Sequence, residues 1–280
     1  DKKLFLVGFH GQTILHSPER KFSLQLGNAK LLSQMSNTTV IFKFRDNDLK
    51  NDGQGAPLAP IFHKLIVKQN KIKTPVIIIN LGGIANYTII LKDSKTIKDC
   101  LFSKDSGPGN CLIDKWVRKN SNNHYDKDGK LAKSGKINKK IVNQALESTV
   151  LKSSYDLKDF NLSIFEKLSL KDGAATLAEY TASTLVRSLY KFLKKYNSFK
   201  KIHILVCGGG RKNNFIIKRI KKKTNMPLKL IDYLGINGDF VESQAFAYLA
   251  IRSYLKLPIS FPTTTGVSKP CTGGVIVKNY

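Results

Sequence analysis

The strongest constraint on the fold is a run of buried-strand residues that ends in a glycine pair. Residues 76–81 read VIIINL and are followed at once by Gly82 and Gly83. A continuous apolar run of this length beside a turn signal is typical of a strand that is covered on both faces. The stretches NYTIIL (86–91) and TIKDCLF (96–102) also have strand composition. We therefore predict three neighbouring strands joined by short connections.

The rest of the chain alternates helical and strand patterns. Leu177, Thr181, Leu185 and Leu189 fall on one helical stripe after Asp172, so we predict a long helix capped by this aspartate. The other predicted elements after residue 105 are a helix from residue 110, a polar insertion at 120–171 with a helix near 137–145, a strand at 202–207, a helix from Asn213, a strand at 227–233 and a helix at 238–255. Before residue 76 the pattern predicts a strand at 4–10, a short helix after Asn28, a strand at 38–44 and a helix at 57–67.

This order of elements indicates the fold class. From residue 76 it resembles an RNase H-like domain, the unit that occurs twice in the actin, hexokinase and sugar-kinase superfamily. We therefore predict an α/β fold with two RNase H-like domains, in which residues 76–280 form the carboxy-terminal domain with an insertion at about 120–171. Residues 1–75 match only the last strand, helix, strand and helix of such a domain, so we expect an amino-terminal domain that is incomplete in this chain.

The charge of the chain raises the question of a nucleic-acid partner. The formal net charge is +27, from 47 Lys and Arg against 20 Asp and Glu. Only seven of these cations are arginines, and the densest run, IKRIKKKT at 217–224, contains no aromatic residue. Recognition of phosphates and bases favours Arg forks and aromatic platforms. We therefore interpret the charge as a solvated lysine surface and predict no nucleic-acid partner.

Membrane and redox signals are weak. No apolar run reaches the roughly 18 to 20 residues that span a bilayer, so we predict no membrane partner. Cys100, Cys111, Cys207 and Cys271 form no CxxC pair, and no secretory signal opens the chain. Both features are typical of a protein with reduced thiols, and we predict a cytoplasmic location.

A single carboxylate stands before a tight turn. Residues 104–113 read KDSGPGNCLI, and Asp105 could cap the helix that follows or act as a general base over a backbone-lined pocket. In the second case Gly107 and Gly109 would leave backbone groups accessible to a sugar or phosphate oxygen, and the Asn110 amide could donate a hydrogen bond. DSGPGN taken alone favours the capping interpretation.

Two further glycine turns carry candidate contacts. Gly82 and Gly83 could form an ordinary hairpin or a phosphate loop, and their spacing does not decide between these. The three glycines at 208–210 follow a predicted strand and precede a helix, but they lack the GxGxxG spacing of a dinucleotide site. Each turn alone is therefore weak evidence for a ligand.

Three polar residues lie at the ends of predicted elements. His10 and Gln12 follow the first strand, and Glu242 opens the last long helix. Each taken alone is better explained as an exposed or capping group. The five histidines show no HExxH spacing, and no cysteine cluster predicts a zinc site.

Seven stretches together resemble one family, the bacterial anhydro-N-acetylmuramic acid kinases. They occur in the family's order across essentially the whole chain, which makes them far more specific than any single turn. The stretches are FHGQTILHSP (9–18), NDGQGAPLAPIFH (51–63), INLGGIANYT (79–88), DSGPGN (105–110), CGGGRKN (207–213), GDFVESQAFAYLA (238–250) and PTTTG (262–266).

The resemblance implies a function and a set of roles. Enzymes of this family use ATP and water to open a 1,6-anhydro cell-wall sugar and to phosphorylate its O6, which implies that Asp105 activates the attacking water. It further implies that magnesium accompanies ATP, that the partners are this amino sugar and ATP, and that a homodimer is the assembly to consider. The implied ATP contacts are Gly82, Gly83, Gly208, Gly209 and Gly210, and the implied sugar contacts are His10, Gln12, Gly107, Gly109, Asn110 and Glu242.

Several positions depart from the family pattern. Ser106 replaces a common Thr, Asp52 and Gly53 stand where paired glycines are common, and Lys43 replaces an acid. Asn80 stands where the superfamily often has an acid, so we assign no magnesium ligand.

The glycine-rich phosphate loop that opens the family's sequences has no counterpart in these residues. Two hypotheses follow: a kinase represented by part of its chain, or a non-catalytic sugar- or nucleotide-binding homologue. An upstream reading frame of about 85 to 95 residues carrying that loop would favour the kinase.

Overall fold

A computed structural model gives the fold and describes residues 5–94, 96–98, 100–150, 155–194 and 202–278. It is a mixed α/β structure, which confirms the predicted class. The strands are β1 (Leu6–Gly8), β2 (Gln12–Ser17), β3 (Phe22–Leu26), β4 (Thr39–Phe42), β5 (Val76–Leu81), β6 (Ile84–Ile90), β7 (Leu101–Pro108), β8 (His203–Cys207), β9 (Leu228–Leu230) and β10 (Val275–Val277). The α-helices are α1 (Ala29–Ser36), α2 (Asp46–Lys50), α3 (Pro60–Gln69), α4 (Cys111–Asn120), α5 (Lys130–Ser134), α6 (Lys139–Ser148), α7 (Leu170–Leu193), α8 (Asn214–Thr224) and α9 (Val241–Tyr254).

The chain packs as two compact units. Unit 1 comprises residues 1–73, 88–104 and 240–280, and unit 2 comprises residues 74–87 and 105–239. The sequence analysis predicted a domain boundary at residue 75 and an incomplete amino-terminal domain. Both stay predictions. Of the predicted segments, residues 4, 99 and 151–154 lie outside the described residues.

Unit 1 contains a small sheet with the order β1–β4–β10 among its described residues. Val40 and Ile41 of β4 are fully buried in it. Helix α9 lies so close to β1 that a Cβ atom on Gly8 would stand 2.4 Å from the Phe246 carbonyl oxygen. Glycine is therefore the residue that lets this helix approach the strand.

The hairpin of β2 and β3 was not predicted, because its turn lacks the usual glycine or asparagine signal. Lys21 takes the left-handed conformation there, with φ of 51°. β3 alternates apolar and polar residues, whereas β2 does not, and large apolar side chains such as Ile14 and Leu24 are exposed. The predicted strand at 4–10 is correspondingly shorter in the structure, covering Leu6–Gly8.

A second sheet has described strands in the order β7–β6–β5–β8–β9, and unit 2 contains β5, β8 and β9 with residues 84–87 of β6 and 105–108 of β7. β5 and β8 run parallel with Asn80 opposite Cys207, and β8 and β9 are also parallel. Along the chain from residue 76, the strands and the helices α4, α6, α7, α8 and α9 follow the predicted order of elements. β9 is shorter than predicted, because residues 231–234 turn into a 3-10 helix.

Helix α7 is the core of the helical layer in unit 2. Leu177, Thr181, Leu185 and Leu189 are buried as predicted. The predicted cap at Asp172 is wrong, since the Ser169 hydroxyl accepts the bond from the Asp172 N–H at 3.1 Å.

Two residues at this end of α7 have other contacts. The Asp172 carboxylate instead accepts a hydrogen bond from the Lys136 N–H at 2.6 Å. Gly173 leaves room for Trp116, whose ring would otherwise lie 2.2 Å from a Cβ atom.

The predicted strand at 96–102 is placed too early in the sequence. The observed strand runs from Leu101 to Pro108 and therefore contains Asp105. β7 lies at the edge of the sheet, where a strand tolerates proline without losing a ladder hydrogen bond. The N-cap of α4 is Asn110, so the interpretation of Asp105 as the cap of that helix is wrong.

Candidate functional site

Glycine turns from three strands meet in unit 2. The parallel strands β5 and β8 end at the same sheet edge, where α/β proteins commonly bind ligands. The turn after β7 joins them through its backbone, because the Gly109 N–H donates to the Gly83 carbonyl at 2.9 Å and the Asn110 N–H to the Gly82 carbonyl at 2.8 Å. The predicted contacts at 82–83 and 107–110 therefore lie side by side.

The turn after β8 packs against the other two turns. A Cβ atom on Gly208 would stand 2.4 Å from Asn80 Oδ1, and one on Gly210 would stand 2.7 Å from Asn110 Oδ1 and from Leu81 Cβ. Gly208 also has a φ of 81°, which favours glycine. Packing therefore requires glycine at both positions.

Gly209 differs from its two neighbours. No heavy atom of the described residues lies within 4 Å of the place where its Cβ would stand. Neither a close contact nor a left-handed conformation explains a glycine there. The turn thus presents bare backbone to open space, which suits a ligand that approaches closely.

Asp105 lies in β7 shortly before the glycines of this site, and only 6% of its surface is exposed. Its Oδ2 atom accepts a hydrogen bond from the Tyr155 N–H at 3.1 Å. The neighbouring Ser106 hydroxyl donates to the Ala85 carbonyl at 2.9 Å. The carboxylate is therefore held in a fixed orientation, and the hydroxyl at position 106 ties β7 to β6.

A second carboxylate follows Asn110 by one helical turn. The Asp114 N–H donates to the Asn110 carbonyl at 2.8 Å, and the half-buried Asp114 carboxylate has no hydrogen bond or ion pair to any described residue. Burial raises its pKa to about 6, Arg118 opposes this shift, and the charge of Asp126 adds to it. Residues at i and i+4 share a helix face, so Asp114 lies on the side of α4 that carries Asn110.

The three remaining predicted contacts lie in unit 1. The His10 ring stacks on Phe246 with ring centroids 4.0 Å apart, and Arg45 Nη2 lies 3.4 Å from its Nε2 atom. Burial, Arg45 and His16 lower the pKa of His10 to about 3, so the ring stays neutral. Glu242 is exposed and lies one turn before Phe246 on α9, on the helix face that meets His10. Gln12 begins β2 with an exposed side chain.

Arg211 is a charged residue that the sequence analysis did not single out. It follows the three glycines directly and only 5% of its side chain is exposed. The signal was present in the sequence as an arginine beside a glycine turn, with acids at 232 and 239. Asp232 and Asp239 lie 21 and 28 residues from Arg211 in the sequence, and no local pattern indicated that they contact it.

The open backbone of this site can accommodate parts of a ligand such as a nucleotide. Open backbone at Gly209 and the neighbouring glycine turns can accommodate phosphate or base atoms. Within the described ranges, no three His, Cys, Asp or Glu side chains converge as metal ligands. No helix in those ranges is both long and apolar enough to cross a membrane.

The strand order and the glycine turns define the class, an α/β protein whose glycine turns meet at one edge of a five-stranded sheet. A sequence model described as "Anhydro-N-acetylmuramic acid kinase" matches residues 1–279. A protein of that name from Pelagibacter ubique (strain HTCC1062) is 50% identical over 282 residues, covering 98% of this chain and 74% of the relative. Another from Zymomonas mobilis is 38% identical over 275 residues, covering 97% and 72%. The chain belongs to the anhydro-N-acetylmuramic acid kinase family, which confirms the predicted resemblance.

The fold is also similar to solved structures of much lower sequence identity. Xylulose kinase from Rhodospirillum rubrum superposes with a TM-score of 0.44 at 9% identity, covering 69% of this chain and 41% of that one. The activator of the 2-hydroxyisocaproyl-CoA dehydratase from Clostridium difficile gives a TM-score of 0.42 at 14% identity, covering 69% and 66%.

Proposed function

We propose that the protein uses ATP and water to open 1,6-anhydro-N-acetylmuramic acid and to phosphorylate its O6. The product is N-acetylmuramic acid 6-phosphate, an intermediate suited to cell-wall recycling. The observation that carries the proposal is Asp105, a buried carboxylate two residues before a glycine turn that is hydrogen-bonded to Gly82 and Gly83.

Asp105 acts as the general base in this proposal. Its carboxylate accepts a proton from water as the water oxygen bonds to the anomeric carbon of the sugar. The bond from that carbon to O6 breaks, and O6 takes the γ-phosphoryl group while ADP leaves. The N–H of Tyr155 supports the role, because it fixes the carboxylate without supplying a competing proton acceptor.

The glycine turns hold the nucleotide in this proposal. Backbone N–H groups near Gly82 and Gly83 face the phosphates, and the turn at 208–210 faces the adenosine. Gly107, Gly109 and Asn110 lie between the general base Asp105 and the phosphates, and they contact the sugar. Magnesium, when bound with ATP, neutralises phosphate charge, and we assign no protein ligand to it.

The family resemblance also implies sugar contacts at His10, Gln12 and Glu242, which belong to unit 1. The neutral His10 ring accepts or donates one hydrogen bond to a sugar hydroxyl, and Glu242 and Gln12 offer further polar contacts. None of the four cysteines, all of which are described, forms a disulfide bond. Reduced thiols support a cytoplasmic site of action, where ATP is available.

The test is Asp105→Asn, which keeps the shape of the side chain and an oxygen for the Tyr155 N–H. Turnover should fall by about 10² to 10⁴-fold, while ATP affinity and the melting temperature stay near wild type. Asp172→Asn is the matched control, since Asp172 also accepts a backbone hydrogen bond, from Lys136. Formation of the 6-phosphate is followed by mass spectrometry. Near-normal turnover of Asp105→Asn would overturn the role of this residue.

A further inference from the structure

The buried side chain of Arg211 links the turn after β8 to a second loop. Its Nε and Nη2 atoms lie 2.7 and 2.9 Å from the two carboxylate oxygens of Asp232. Its Nη1 atom lies 2.7 Å from Asp239 Oδ1 and 3.2 Å from the Gly208 carbonyl oxygen. One guanidinium therefore connects the loop at 232–239 with the first glycine of the turn.

Backbone contacts reinforce the same link. The Gly208 N–H donates to the Gly238 carbonyl at 3.3 Å, and the Gly238 N–H donates to Asp232 Oδ1 at 3.3 Å. A Cβ atom on Gly238 would stand 2.3 Å from Arg211 Nε, so the loop passes directly over the guanidinium. A side chain at position 238 would therefore displace the guanidinium of Arg211.

The turn is consequently held from two sides and open on a third. Asn80, Leu81 and Asn110 pack under Gly208 and Gly210, while Arg211 holds the outer side. Gly209 alone faces open space. A bidentate Arg–carboxylate pair has a defined planar geometry, which a lysine at the same position does not reproduce.

We propose that Arg211 is a positioning residue for nucleotide binding, which fixes the turn at 208–210 through Asp232 and Asp239. This inference rests on the proposed function, in which that turn contacts the adenosine of ATP. Arg211 itself does not contact the reacting atoms in the proposed reaction. Its loss lowers ATP affinity because the turn no longer has one conformation before the nucleotide arrives.

The matched pair of variants is Arg211→Lys and Arg219→Lys. Arg219 also belongs to unit 2 and pairs with a buried carboxylate, Glu179, but on α8 away from the glycine turn. Both variants keep the positive charge and lose the guanidinium. We expect comparable changes in melting temperature, at least tenfold weaker ATP binding for Arg211→Lys, and ATP binding within twofold of wild type for Arg219→Lys.

The measurement is calorimetric titration of the full chain with ATP, together with the melting temperature and the KM for the sugar. Asp232→Asn should weaken ATP binding like Arg211→Lys, and the double variant should be little worse than either single one. Wild-type ATP affinity in Arg211→Lys, or equal losses in both lysine variants, would overturn the inference. ATP binding by the wild type without formation of the 6-phosphate would contradict the proposed function instead, and absence of ATP binding by the wild type would overturn both.

Discussion

The carboxylate of Asp48 lies 2.5 Å from the hydroxyl of Thr265, although 217 residues separate them in the chain. Its other oxygen accepts a hydrogen bond from the Gly55 N–H at 2.6 Å. The Gln54 N–H donates to the Thr265 carbonyl at 2.8 Å. The family stretches at 51–63 and 262–266 are therefore bound to each other within unit 1.

Asp48→Ala should lower the free energy of unfolding by about 2 to 4 kcal/mol, because it leaves two buried donors without an acceptor. Thr265→Val removes only one of these bonds and should cost about 1 to 2 kcal/mol. Urea unfolding of both single variants and the double variant measures the coupling. Strictly additive losses would contradict a direct link between the two residues.

The glycines of the turn after β8 give a second prediction. Gly209→Ala should fold with wild-type stability, because its Cβ meets no described atom, and should still weaken ATP binding by filling the open space. Gly210→Ala should lower the melting temperature, because its Cβ would meet Asn110 and Leu81 at 2.7 Å. Thermal melts and ATP titrations separate the two effects. Unchanged ATP affinity in Gly209→Ala would show that the nucleotide does not approach this backbone.

Buried His63 predicts a dependence of stability on pH. It is 1% exposed, its Nδ1 atom lies 2.8 Å from the Thr88 hydroxyl, and burial lowers its pKa from 6.5 to about 4. The unfolded chain therefore binds a proton at a pH where the folded chain does not. The stability due to neutral His63 is complete above pH 6.5 and is lost as the pH falls toward 4.

In His63→Asn, the loss of free energy of unfolding between pH 8 and pH 4 should be smaller than in the wild type by up to about 3 kcal/mol. Chemical denaturation at several pH values between 4 and 8 gives the comparison. His124→Asn is the control, since His124 is exposed. Identical pH profiles for wild type and His63→Asn would contradict a neutral, buried imidazole.

Choice of sugar tests the chemistry assigned to Asp105. If its carboxylate is positioned for water, the 1,6-anhydro sugar should be phosphorylated much faster than N-acetylmuramic acid whose ring bridge is already open. Asp105→Asn should remove most of this preference. Initial rates with both sugars provide the measurement. Equal wild-type rates would exclude the water-activating role while leaving a kinase assignment intact.

The departure from the family pattern at positions 52 and 53 has a local structural explanation. Asp52 adopts a φ of 65°, a left-handed conformation that glycine takes without cost and that aspartate tolerates. Gly53 retains glycine because a Cβ atom would stand 2.0 Å from Asp48 Oδ1. The replacement at 52 therefore keeps the turn, whereas a side chain at 53 would displace Asp48.

The sequence by itself determined the local features of this protein. The run at 76–81 specifies a buried strand because four consecutive apolar residues, 76–79, begin it and a glycine pair follows it. Asn28 and Asn213 cap α1 and α8 because their amide oxygens reach an N–H three residues on. Motif order was sufficient to indicate the family.

Only the tertiary structure decided which distant groups meet. The proline at 108 concealed the continuation of β7 through Asp105, which an edge position permits. Arg211 reaches Asp232 and Asp239, and Asp48 reaches Thr265, through chain reversals that no local pattern encodes. These contacts depend on how strands and turns pack in three dimensions, whereas strand and cap signals depend on neighbours within one or two turns of the chain.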